Sequence, residues 1–191
     1  MNWETYLALG DSITKGARTY LGYPELTAHK LSQKLNKEWD IINVSSNGIT
    51  AIELLKLFED KCRHSHVGNS SFTTILVGTN DVKNGSTVEE FTIAYDLLLT
   101  KVKIATQSSN IYLIHIPTFP KGVMFPYTSD MNTTVLKFNE VINALATKHQ
   151  LKTLELKLTE NDFYDGVHLN SEGIQSVAHQ ICETVLISKG Y

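Results

Sequence analysis

Ser12 lies just behind an apolar run, Thr5-Tyr6-Leu7-Ala8-Leu9, in the sequence Gly10-Asp11-Ser12, and Asp165-Gly166-Val167-His168 lies near the other end of the chain. A serine hydroxyl is a poor nucleophile until a base within hydrogen-bond reach takes its proton. Histidine, which titrates close to neutrality, is the usual base. An aspartate beside it can hold the correct tautomer and stabilise the imidazolium as it forms. His168 follows Asp165 by three residues, with Gly166 between them to allow a tight turn. Asp162 is a rival acid whose spacing to His168 suits the pairing less well.

Acyl transfer also needs donors aimed at the oxygen that becomes negative. The backbone N–H of Ser12 is one candidate. Asn47-Gly48 follows a second apolar run, and Gly48, without a side chain, lets its N–H approach a substrate closely. Gly78-Thr79-Asn80-Asp81 follows a third run, and the side-chain amide of Asn80 is the third donor.

These residues must be gathered by elements far apart in sequence. Short apolar runs at 4–9, 40–44, 72–77, 110–116 and 151–156 read as strands. Ile41-Ile42-Asn43-Val44, Thr74-Ile75-Leu76-Val77 and Ile111-Tyr112-Leu113-Ile114 have the two-sided apolar character of parallel strands covered on both faces. Helical patterns fall near 24–37, 51–63, 87–106, 131–149 and 171–187. Thr50-x-x-Glu53 and Ser86-x-x-Glu89 have capping-box form. Ile174, Val177, Ala178, Ile181 and Val185 form one apolar stripe, and Val135, Phe138, Ile142 and Leu145 another.

Five βα units imply an α/β fold, a flavodoxin-like three-layer sandwich whose five-stranded parallel sheet has the order 2-1-3-4-5. The switch point of that order lies between strands 1 and 3, where Ser12 and Asn80 would meet. No repeat or linker interrupts the pattern, so residues 1–191 are expected to form a single domain.

With these blocks in order, the chain resembles the SGNH, or GDSL, hydrolase superfamily, named for its serine, glycine, asparagine and histidine. Gly10-Asp11-Ser12-Ile13-Thr14 is similar to the first block, Gly48 to the second, Gly78-Thr79-Asn80-Asp81 to the third, and Asp165-Gly166-Val167-His168-Leu169-Asn170 to the last. The resemblance covers nearly the whole chain. It implies a Ser12–His168–Asp165 triad with Ser12, Gly48 and Asn80 as oxyanion donors. It also implies hydrolysis of esters or thioesters with neither metal nor organic cofactor. The segment Lys15-Gly16-Ala17-Arg18-Thr19-Tyr20-Leu21-Gly22-Tyr23 carries no family signature and leaves the substrate open.

Other chemically able residues have plainer readings. Asp11 and Asp81 are expected to brace strand-end loops by accepting backbone N–H bonds. His115, ending the fourth strand, reads as a core or supporting histidine, because His168 already fills the base position. His64 and His66 form an isolated His-x-His without the carboxylates or cysteines of a metal site. The irregular segment 117–130 is a candidate lid or pocket wall. Its Phe119, Met124, Phe125 and Tyr127 either line an acyl pocket or pack beneath the loop.

Composition narrows the class. A net charge of −3 without any basic or acidic block argues against a nucleic-acid partner and against a polybasic membrane patch. No apolar run approaches the ~18 residues of a membrane span, and Met1-Asn2-Trp3-Glu4 lacks the form of a secretory signal. A cytoplasmic location is therefore expected. Cys62 and Cys182 fall on helices expected on opposite faces of the sheet and read as free thiols.

The expected activity is a serine-dependent ester hydrolase acting through an acyl-enzyme on a small, short-chain (acetyl-type) ester or thioester. Two alternatives stand beside it: an acyltransferase using the same triad, and a carbohydrate- or lipid-binding module without turnover.

Overall fold

The computed structural model describes residues 3–63, 67–106 and 110–190. The chain runs β1 (Trp3–Gly10), α1 (Ser12–Lys15), α2 (Tyr23–Leu35), β2 (Glu38–Ser45), α3 (Ala51–Cys62), β3 (Phe72–Leu76), α4 (Thr79–Lys83), α5 (Val88–Thr106), β4 (Ile111–Ile114), α6 (Asn132–His149), β5 (Lys152–Leu154) and α7 (Ser171–Lys189). The strands form one parallel sheet of order β2-β1-β3-β4-β5.

Strand alternation feeds two apolar layers. Leu7 and Leu9 of β1, Ile75 of β3 and Ile111 and Leu113 of β4 pack with Phe58, Leu98 and Phe138 from α3, α5 and α6. Tyr6 and Ala8, Leu76, and Tyr112 and Ile114 face the other way, against Leu31 of α2 and Ile181 of α7. The stripes expected on α6 and α7 are buried as expected. Cys62 packs against the first layer and Cys182 lies in the second, both as free thiols. No described helix is long and apolar enough to cross a membrane.

Register brings the site together. Gly10 of β1 pairs with Ser45 of β2 and Leu76 of β3, so three strands end level and the chain beyond each enters the same edge.

Several local expectations shift. The second capping box is made by Thr87 and Glu90, not Ser86 and Glu89: Glu90 Oε2 accepts the Thr87 N–H at 2.8 Å, and Thr87 Oγ1 accepts the Glu90 N–H at 3.1 Å. Strand β4 stops at Ile114, short of 116, because Asn139 of α6 takes both backbone groups of Ile116, at 2.8 and 3.0 Å. Asn132 does the same to Phe119, at 2.7 and 2.9 Å. A side-chain amide thus replaces the next sheet partner twice, and the loop after β4 is clamped to α6. Strand β5 is confined to three residues at the sheet edge.

Candidate active site

Asp11 joins the end of β1 to the start of α1. Its Oδ1 accepts the Ile13 N–H at 3.0 Å, which makes it the N-cap of a single helical turn whose first residue is Ser12. Burial is the main cause of a high carboxyl pKa at Asp11, pushed up to about 7, with the nearby Asp81 charge adding to it against the Ile13 bond. Asp81 plays a matching part: its carboxylate accepts the Ala51 N–H at 3.0 Å and ties α4 to the start of α3. Burial raises it to about 6 despite that bond. Both aspartates brace strand-end loops, as expected.

The segment 163–170 closes on itself before α7. Phe163 and Leu169 form an antiparallel bridge, and the Tyr164 N–H donates to the His168 carbonyl at 2.7 Å. Asn170 then caps α7 by accepting the Glu172 and Gly173 N–H groups, both at 3.0 Å. Gly166 sits inside this turn at φ +84°, and a Cβ there would stand 2.7 Å from the Val123 Cα. Both the left-handed turn and the close approach of the loop after β4 require glycine.

This turn sets the charged pair. Asp165 Oδ1 accepts the backbone N–H groups of Val167 and His168 at 3.0 and 2.8 Å. Asp165 Oδ2 lies 2.8 Å from His168 Nδ1, and His168 Nε2 lies 3.0 Å from Ser12 Oγ. Burial alone would raise the Asp165 pKa, but the His168 and Val167 bonds together with the histidine's charge outweigh it and hold the carboxyl below its ordinary value. Asp162, the rival acid, accepts instead from the Thr159 N–H and hydroxyl at 2.7 and 2.9 Å. Nδ1 bonded to a carboxylate leaves Nε2 to accept the serine proton, so this chain can generate an alkoxide-like nucleophile at Ser12.

Ser12, Arg18, Gly48, Asn80, Tyr127 and His168 line a cleft of about 430 Å³. Gly48 adopts φ +77°, yet a Cβ there would meet nothing within 4 Å. Its glycine serves the left-handed backbone rather than lack of room. Asn80 follows Gly78 at the end of β3. Its Nδ2 donates to the Ile49 carbonyl at 3.0 Å, and its Oδ1 accepts the Tyr127 hydroxyl at 3.3 Å. Burial, with the negative charges of Asp11 and Asp165 behind it, pushes the Tyr127 phenol up to about 12, so it stays a donor. These bonds fix the orientation of the amide and leave its second hydrogen for a ligand.

The loop residues divide. Phe119 is buried and packs against Tyr127, ring centroids 5.1 Å apart, while Tyr127 reaches the cleft. Met124 and Phe125 are 46% and 89% exposed. His115 Nε2 is 2.8 Å from Asn143 Oδ1 and is bonded to α6 rather than to the cleft. His64 and His66 lie outside the described residues. Among the described residues, no three His, Cys, Asp or Glu side chains are grouped as a metal site.

Two cleft residues escaped the sequence reading. Arg18 Nε is 3.2 Å from Asp165 Oδ2, and its guanidinium lies 5.7 Å from the Tyr164 ring centroid. Lys83, three residues after Asn80 on α4, lines the same cleft. Neither lies in a motif; the six-residue step from Ser12 to Arg18 was the one available signal.

A family model described as the GDSL-like Lipase/Acylhydrolase family matches residues 8–175. A curated relative, the N-acylneuraminate cytidylyltransferase of Escherichia coli O18:K1:H7 (strain RS218 / NMEC), is 26% identical over 156 residues. That match takes in 77% of this chain but 37% of the relative, so the chain spans little more than a third of that protein's length. Among solved structures, the lipase/acylhydrolase from Enterococcus faecalis superposes with a TM-score of 0.76 at 18% identity over 95% of both chains. The acetyl xylan esterase AlAXEase gives 0.78 at 19% identity, over 95% of this chain and 99% of that one. The psychrotrophic esterase EstA from Pseudoalteromonas sp., in a form inhibited by monoethylphosphonate, gives 0.76 at 16% identity, over 98% and 100%. At these identities the superpositions speak to the fold alone.

Proposed function

The chain belongs to the GDSL-like lipase/acylhydrolase family, and we propose that within it the protein is a serine-dependent hydrolase of small, short-chain esters working through an acyl-enzyme. The observation that carries this reading is the continuous chain from Ser12 Oγ through His168 to Asp165, at 3.0 and 2.8 Å, opening on a cleft that Gly48 and Asn80 also line.

In the first half-reaction Ser12 Oγ attacks the acyl carbonyl and its proton passes to His168 Nε2. Asp165 Oδ2 stabilises the imidazolium through Nδ1. The carbonyl oxygen, now negative, is met by the backbone N–H groups of Ser12 and Gly48 and by Asn80 Nδ2. Collapse breaks the bond to the leaving alcohol, which takes the proton from His168. Water then repeats the sequence on the acyl-Ser12 ester, with His168 as base, and releases the acid. A cleft of about 430 Å³ has room for a small ester as a whole. An acetylated sugar is the leading substrate class: two solved neighbours bear the name acetyl xylan esterase, and the curated relative is named for acting on N-acylneuraminate.

A fluorophosphonate probe should label the protein stoichiometrically at Ser12, and the protein should release acetate from aryl and sugar acetates. Ser12→Ala should lose both while keeping the fold. Labelling without acetate release, but with acetyl transfer to an added alcohol or sugar, would turn the reading into an acyltransferase; no labelling and no turnover would leave a binding module.

A further inference from the structure

The cleft around Ser12 is lined by two cationic side chains, Arg18 and Lys83, and, among the described residues, by no acidic one, in a chain whose net charge is −3. Arg18 is not a freely moving surface cation. The Ala17 N–H donates to the Ser12 carbonyl at 3.0 Å, and Thr19 returns to the Gly16 carbonyl through its N–H and its hydroxyl, at 3.2 and 2.7 Å. Between these bonds Arg18 is held at φ +70°, a left-handed conformation that a side chain with a Cβ rarely adopts. Such strain persists only where the surroundings enforce it, and it gathers at functional sites.

The Nε edge of the guanidinium is engaged. Nε faces Asp165 Oδ2 and the plane lies near Tyr164, while the side chain remains 48% exposed. The two Nη groups make a planar pair of donors whose geometry matches a carboxylate or phosphate. Lys83 lines the same cleft. It follows Asn80 by three residues on α4, which places it on the same helical face as the oxyanion donor. Glu53, whose charge senses Lys56 and Lys83, accepts the Thr50 N–H and hydroxyl at Oε2, both at 2.8 Å.

We propose that Arg18 and Lys83 form an anion subsite and that the preferred substrate is a short-chain ester carrying a carboxylate or phosphate on its alcohol part. This deepens the ester-hydrolase reading and rests on it. The short acyl group of the proposed reading carries no charge, which puts the anion on the leaving-group side.

The test compares monoacetylated glucose, glucuronic acid and glucose 6-phosphate at matched ionic strength, together with fluorophosphonate labelling. At least one anionic ester should exceed the neutral one in kcat/KM by about tenfold or more, mainly through KM, as expected for one charge-assisted contact. Whichever anion gains more identifies carboxylate or phosphate as the group read. Added salt should shrink the ratio. Lys83→Gln should lower it, and Arg18→Gln should lower it while also slowing the neutral ester, since Arg18 touches Asp165. A ratio below about ten for both anions, or one that Lys83→Gln leaves unchanged, overturns the subsite while leaving the esterase reading intact. If no sugar acetate is turned over, protection from labelling reads the same preference: glucuronate or glucose 6-phosphate should slow it more than glucose, and equal slowing overturns the subsite. Absence of labelling overturns the esterase reading and this inference with it.

Discussion

The Tyr127 hydroxyl donates to Asn80 Oδ1 at 3.3 Å, and this bond decides which end of the Asn80 amide is left for the substrate. With Oδ1 occupied and one Nδ2 hydrogen given to the Ile49 carbonyl, a donor rather than an acceptor remains beside Ser12. The loop after β4 therefore acts on the proposed oxyanion hole without touching the nucleophile. Tyr127→Phe keeps the packing on Phe119 and removes only the hydroxyl. It should lower kcat about 3- to 10-fold, the worth of one ordinary hydrogen bond, with KM nearly unchanged. Steady-state kinetics on an aryl acetate checks this; a change confined to KM would make Tyr127 a substrate contact instead.

Asn80 holds the Ile49 carbonyl and, in the proposed mechanism, meets the oxyanion, and the two parts separate experimentally. The oxyanion exists in the transition state and not in the resting ester, so Asn80→Ala should reduce kcat roughly 10²–10³-fold with little effect on KM. The same change strands the Ile49 carbonyl, and urea unfolding should show a loss of about 1 kcal/mol. A variant that lost stability but kept its kcat would leave the oxyanion to the backbone N–H groups of Ser12 and Gly48.

Asp165 and Asp162 lie three residues apart and do different work. Asp165, whose side chain is 4% exposed, accepts from His168 Nδ1. Asp162 caps the turn at Thr159. Asp165→Asn should cost kcat on the order of 10⁴-fold by favouring the wrong imidazole tautomer. Asp162→Asn should retain kcat within about threefold and lose little stability, because its amide oxygen still accepts the Thr159 N–H. Kinetics and unfolding of the two variants, side by side, distinguish them; a dead Asp162→Asn enzyme would exchange the roles.

Sequence patterns revealed the sheet order and the gathering of Ser12, Gly48, Asn80, Asp165 and His168 because each rests on something local. Apolar runs mark the strands, and every one of those site residues follows or precedes an element end. What was not legible depends on tertiary partners. The end of β4 is set by Asn139, 23 residues beyond Ile116, and no propensity of 115–116 encodes it. The capping box at α5 slid from Ser86 to Thr87 because both hydroxyls have a glutamate three residues on, and only the packed helix chooses between them. Arg18 meets Asp165 across 147 positions of sequence, in a segment without periodicity. Turns α1 and α4 are too short to show a helical stripe.

Asp11 should make stability depend on pH. Its ordinary carboxyl value, near 3.8, applies in the unfolded chain, and burial raises it to about 7 in the folded protein. Between those values the unfolded chain has released a proton that the folded protein keeps, so folding takes up a proton and stability falls as pH rises. The stabilising preference is fully present below the unfolded value, is lost as pH climbs to about 7, and changes no further above it. Asp11→Asn keeps an oxygen for the Ile13 N–H and cannot ionise. Relative to wild type the variant should therefore gain stability from about pH 4 to pH 7, by at most about 4 kcal/mol, and hold a constant difference above. Asp81 is present in both proteins, and because its charge is one cause of the high Asp11 value, the pH-dependent difference reads Asp11 together with that coupling. Urea unfolding of both proteins at four pH values across that window measures it. A difference independent of pH would mean that Asp11 titrates alike in the folded and unfolded chains, and that its burial is relieved by a partner for Oδ2.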